Sequence, residues 1–182
     1  QDFDLNPEER LLAEILQDNG IIRKRGNSYE AGRGGIISVS QESSYRLRYL
    51  FLIHEGYHGF YFSSAEYRRR VSDIWAGLSE EEKGFWRYFL EWRNYNTDDS
   101  YLMENEFQAY LMQQHISQVD SYYKGYIIPR YITLFPERED LARSFLDRHP
   151  DHFVESARKV GAAARETAGV TAGDLLCLRK ID

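Results

Sequence analysis

The stretch Leu52–Phe62 reads LIHEGYHGFYF: two histidines four residues apart, a glutamate directly after the first, and otherwise almost nothing but aromatic and aliphatic side chains. As a helix this run puts His54 and His58 one turn apart on the same face. The rest of it is too apolar to face water. The fold must therefore cover this helix and at the same time give three ionisable groups a partner, because a buried group of that kind is costly alone. A chain of 182 residues can bury one proper core and is short for two, so a single domain over residues 1–182 is expected to supply the cover.

The surrounding pattern is helical. Asn6-Pro7-Glu8-Glu9 has the form of a helix start, with Asn as cap, Pro in the first turn and acids beside it. That helix should run to about Asn19, where Gly20 stops it. Ile21–Arg25 and Ile36–Ser40 read as two short strands joined by a glycine-rich connection. Helices are expected at Ser44–Phe62 and Ala65–Ala76, from the capping-box sequence Ser79-Glu80-Glu81-Glu82 to about Asn94, and from Asp98 to Val119. Tyr122–Phe135 contains Gly125 and Pro129 and reads as irregular. Pro136 and Pro150 each open a further helix, and Val160–Ala168 reads as a packing helix. The class is α-rich α+β with a small β element near the N-terminus.

HExxH at His54–His58 suits a metal. Both imidazoles can hold one ion, and Glu55 beside them can take a proton from a water on it. With 5 His in the chain, chance alone writes this pattern in roughly one such sequence in eighty. A hydrogen-bonded core histidine pair is the other ordinary explanation. A third ligand on a facing helix weighs against both. Glu106 lies 48 residues after His58, on a stripe with Leu102, Met103 and Tyr110 that should be buried. Glu104 competes, but sits about 200° around the helix from Glu106 and should face away. Two imidazoles and a carboxylate leave a fourth position open, and Zn²⁺ is the natural ion.

HExxH followed by a downstream helical glutamate resembles the gluzincin arrangement of zinc metallopeptidases. Glu106-Phe107-Gln108-Ala109 is similar to the third-ligand segment of anthrax lethal factor-like peptidases, and the interval from HExxH is similar too; gluzincin aminopeptidases and short antirepressor-cleaving bacterial peptidases have comparable patterns. The resemblance covers Phe51–Met112, about a third of the chain. It implies a zincin-like domain with the HExxH on its active-site helix, acting as a zinc-dependent metalloendopeptidase on a peptide or protein substrate. His54, His58 and Glu106 would be the zinc ligands and Glu55 the general base. The family also places a tyrosine a few residues before the third ligand, donating to the developing oxyanion. Here that position, near Asp99, is not tyrosine. Tyr101 is the nearest candidate, and Tyr123, Tyr126, Tyr131 or Arg130 could serve instead. A zincin-scaffold binding module with a structural zinc is the alternative, though it would have no need of Glu55.

Gly56 and Gly59 inside the helix each cost about 1 kcal/mol against Ala, which suggests close approach of another backbone. Gly34–Ser40 could be the edge strand that holds an extended substrate, or an ordinary hairpin. A net charge of −6 argues against a nucleic-acid grip, and no apolar run approaches the ~20 residues of a membrane span. The single cysteine, Cys177, forms no intrachain disulfide and leaves the compartment open, export from a bacterial cell included. No basic, apolar leader opens the sequence, which fits a signal peptide removed or never present. His149-Pro150-Asp151-His152 reads as a solvated turn, and Trp75, Trp86 and Trp92 as core.

Overall fold

The computed structural model describes residues 5–26 and 28–174; Cys177 lies outside them. The chain forms two compact units, Gln1–Ser38 and Val39–Asp182. In the first, α1 (Pro7–Asp18) is capped as its sequence dictates. Asn6 accepts from the Glu9 amide, and the Glu9 carboxylate accepts from the Asn6 amide. A two-stranded antiparallel sheet follows, β1 (Ile22–Arg25) with β2 (Ser28–Ala31), Ile22 opposite Ala31 and Arg25 opposite Ser28. The second strand is thus not Ile36–Ser40, which has no regular secondary structure. Gly26, at φ 63°, lets the chain reverse directly after Arg25, so the nearest residues pair and the later ones are left out. Gly32 permits the close return: a Cβ there would stand 2.0 Å from the Gly20 carbonyl oxygen.

The second unit is helical among its described residues: α2 (Tyr45–Ser63), α3 (Ala65–Ala76), α4 (Glu80–Trp92), α5 (Ser100–Met112), α6 (Ile116–Tyr122), α7 (Ile128–Leu134), α8 (Glu139–Arg148) and α9 (His152–Ala168). Ser44, Ser64 and Ser79 cap α2, α3 and α4 with their hydroxyls, Ser79 in a full capping box with Glu82. Two expectations fail here. The helix from Asp98 to Val119 is broken after Met112, whose carbonyl instead accepts from the distant Gly173 amide. And Tyr122–Phe135 is helical: α6 passes through a π-helical turn at Tyr123–Ile127 into α7. Pro129 falls in the first turn of α7, where it needs no intrahelical donor. The wider turn lets Tyr123, Ile127, Ile128 and Tyr131 all face inward.

α5 is covered nearly all round and packs against α2, α3, α4 and α9. The core beside it is aromatic. Trp86 meets Phe107 at 5.0 Å between ring centroids and Tyr123 at 5.5 Å, while Tyr123 stacks on Phe153 at 4.4 Å. Each such ring contributes about 1.5–3 kcal/mol by burial.

His152 is not in a solvated turn. It is buried, accepts from the Trp86 indole N–H at 3.0 Å through Nε2, and so carries its proton on Nδ1, which donates to Glu82 at 2.8 Å. His149 pairs with Glu81 at 2.9 Å. The two histidines pin the start of α9 to α4. Burial works to raise the Glu82 carboxyl, but hydrogen bonds from the Ser79 amide and hydroxyl and from His152 outweigh it and hold it at about 2. Burial likewise lowers His152, with Glu82 opposing.

A carboxyl held below its unfolded value stabilises the fold above pH 4.5, and that contribution is lost as pH falls toward about 2. Neutral His152 acts in the same direction below 6.5. Glu82→Gln keeps the cap but removes the charge. Its thermal midpoint should lie below wild type by on the order of a few degrees near neutral pH. The gap should close through the same acid window. A gap that stays constant there would show that Glu82 does not contribute through its charge.

Candidate metal centre

α2 and α5 bring the sequence-expected residues together. His54 Nε2 and His58 Nε2 lie 3.0 Å apart. Glu106 Oε2 is 3.5 Å from the first and Oε1 is 3.4 Å from the second. His54 and Glu106 are buried and His58 nearly so, and the three form the His/Cys/Asp/Glu group with metal-ligand spacing among the described residues.

What surrounds these groups decides what belongs between them. Gln108 is fully buried in α5, and its amide nitrogen donates to the Tyr57 carbonyl at 3.2 Å, an atom that can only accept. The same nitrogen donates to Asn105 Oδ1 at 3.2 Å, and the Gln108 oxygen accepts from the Tyr67 hydroxyl at 2.9 Å. Asn105 Oδ1 is therefore an acceptor toward His58 Nδ1, 3.0 Å away, and that nitrogen must carry the proton. Gln113 Oε1 lies 3.2 Å from His54 Nδ1. With its proton on Nδ1, His58 Nε2 presents a lone pair toward His54 Nε2 and the Glu106 carboxylate, whose Oε2 has no hydrogen-bond partner among the described residues. Two imidazole nitrogens and a carboxylate converging in a buried space could hold a metal ion. Separations of 3.0 to 3.5 Å among these atoms are of the order expected between ligands of one small divalent ion, which binds N and O at about 2 Å. Asn105 and Gln113 are the outer partners that fix ligand tautomer and direction.

Glu55 follows His54 directly on α2. The Tyr110 hydroxyl is raised chiefly by burial, lowered by Tyr95 and Arg93, and raised further by the charges of Glu106 and Glu55. The Tyr110 ring stands edge-on to His54 at 4.6 Å. Tyr95 is raised by burial, then by Tyr110 and Glu106. Glu104 points elsewhere, accepting from Tyr61 at 3.1 Å and from Ser72.

The oxyanion candidates fall apart spatially. Tyr101 packs edge-on against Tyr61 at 5.4 Å, half-exposed, on the Glu104 side. Tyr123 is in the aromatic core, the Tyr126 hydroxyl accepts from Arg130, and the Tyr131 hydroxyl accepts from Arg138. The phenols nearest the cluster are Tyr110 and Tyr95. Tyr110 and Gln113 were legible as positions four and seven after Glu106, on its own helical face. Tyr95 follows Asn94, whose φ of 64° turns the chain, and no periodicity marks it. A Cβ on Gly59 would meet nothing within 4 Å, so close backbone approach does not explain that glycine.

Metal analysis of protein purified without added metal should give one ion per chain, lost in His58→Ala. Glu106→Gln should weaken binding strongly and Glu104→Gln should leave it near wild type. Asn105→Ala should lower affinity by about 10–100-fold through the misdirected His58. Equal affinities in the two glutamate variants would mean that a shared proton, not a metal, joins the cluster. Comparison of the chain with family models, with curated proteins and with solved structures finds no match, so the functional reading rests on this cluster and its surroundings.

Proposed function

We propose that the chain is a zinc metallopeptidase of gluzincin type, with His54, His58 and Glu106 as ligands and Glu55 as general base. The observation that carries this reading is the convergence of His54, His58 and Glu106 in a space with metal-ligand spacing, one Glu106 oxygen having no hydrogen-bond partner among the described residues, with Glu55 directly after His54 in the chain. Zinc in that position supplies a Lewis acid for the scissile carbonyl and lowers the pKa of the attacking water. Glu55 takes the water's proton and passes it to the leaving amine as the C–N bond breaks. Asn105 and Gln113 keep the two Nε2 lone pairs directed inward. Tyr110 takes the role first sought at Tyr101. Its hydroxyl stays protonated at neutral pH and its ring lies against His54, so it can donate to the carbonyl oxygen as charge develops there.

Glu55→Gln should keep the fold and the zinc and lower kcat by about 10²–10⁴-fold. Tyr110→Phe should lower kcat with KM little changed. The assay compares all three proteins, at measured zinc content, on substrates found by profiling a peptide library. Equal turnover by wild type and Glu55→Gln would falsify the mechanism. A fully zinc-loaded wild type that cleaves no peptide would make the chain a binding module on a metal-held scaffold.

A further inference from the structure

Arg93 is the C-cap residue of α4. Its guanidinium lies over the Trp92 ring at 4.3 Å and over Phe89 at 5.3 Å. The Nε is shielded from water and has no acceptor. No carboxylate pairs with this group among the described residues, and its terminal nitrogens donate to no protein atom there. Arg69, Arg143 and Arg148 each meet a carboxylate, and other arginines such as Arg46, Arg48 and Arg87 do not among the described residues; Arg93 differs from those in lying over two rings with its Nε shielded from water. A half-buried guanidinium stacked on two rings and left without an anion is a site prepared for one.

Its position relates it to the metal centre. Phe89, beneath Arg93, stands edge-on to Tyr110 at 4.9 Å, and Tyr110 stands edge-on to His54 at 4.6 Å. The guanidinium is therefore no more than about 15 Å from the His54 ring, at most about four residues of extended peptide. The Tyr110 hydroxyl, raised chiefly by burial, is lowered by the charge of Arg93 and raised by those of Glu106 and Glu55. Tyr122, raised by burial, is drawn back down by Gln113 and by Arg93. The rings of Phe89 and Tyr110 thus connect the guanidinium to His54.

We propose that Arg93 is the receptor for a substrate carboxylate, so that the peptides taken are those carrying a carboxylate within about four residues of the scissile bond. This rests on the metallopeptidase reading. The planar fork of terminal nitrogens matches a carboxylate's two oxygens, and the aromatic bed under it excludes water and strengthens the pair. The carboxylate is either the substrate's C-terminus or an Asp or Glu side chain.

The test uses the zinc-loaded Glu55→Gln protein, which should hold peptide without turning it over. A randomised N-acetylated pentapeptide library is offered in two forms, with free C-terminal acids and with C-terminal amides, and retained peptides are identified by mass spectrometry. Enrichment of carboxylate-bearing peptides by about tenfold or more is expected, the scale of one charge-assisted bidentate contact. Enrichment confined to the free acids assigns the C-terminus; enrichment of Asp or Glu in both forms assigns a side chain. Arg93→Met in the same background should abolish the preference, and Arg93→Lys should recover part of it, since the charge returns without the fork. Zinc content and thermal midpoint of each variant separate this from misfolding. No carboxylate preference, the same preference in folded Arg93→Met, or no retained peptide overturns the proposal. Carboxylate peptides held through Arg93 but left uncleaved by zinc-loaded wild type would instead sink the peptidase reading and leave the receptor standing.

Discussion

The buried amide of Gln108 is the contact on which the candidate site depends. It sits on α5, donates to a main-chain carbonyl of α2, and accepts from a tyrosine hydroxyl of α3. A buried polar group left unmade would cost about 1–3 kcal/mol, so the three helices are held in the one register that satisfies it. That register brings Asn105 to His58 and Glu106 between the two imidazoles. A slip of α5 by one residue would turn the Glu106 side by about 100° and offer Phe107 to the histidines instead.

The aromatic core makes that register stiff. Trp86, Phe107, Tyr123 and Phe153 interlock face to edge and face to face, and aromatic rings have few rotamers to lose. The Trp86–His152–Glu82 chain ties the same core to the start of α9 through directed bonds. His54, His58 and Glu106, carried on two helices braced in this way, are positioned by the fold itself.

Around the cluster the protein places neutral phenols rather than further charges. Tyr95, Tyr110 and Tyr122 are all pushed upward, burial being the largest cause in each, so they remain donors at neutral pH. Donors of that kind can follow charge as it develops on a bound carbonyl without adding net charge of their own. Arg93 is the cation that lowers both Tyr110 and Tyr122, and it lies over Phe89, whose ring meets Tyr110.

Much of this was legible in the chain. Four-residue spacing put His54 and His58 on one face because a helical turn does so whatever surrounds it. The caps at Asn6 and Ser79 declared their helices, since a side-chain oxygen reaching an amide two or three residues on is local chemistry. Glu106 was separable from Glu104 by angle alone. Tertiary structure decided the rest. Whether the chain from Asp98 continues past Met112 depends on the Gly173 amide, some sixty residues away, taking the Met112 carbonyl. Whether Gly125 and Pro129 break a helix depends on a π-turn that inward-facing tyrosines favour. Tyr101 was the nearest tyrosine in sequence to the third ligand on its N-terminal side, yet it turns to Tyr61, while Tyr95, eleven positions from Glu106, comes to its carboxylate. Local rules carry through one or two turns of helix; which distant side chain fills the space beside a ligand is settled only when the helices pack.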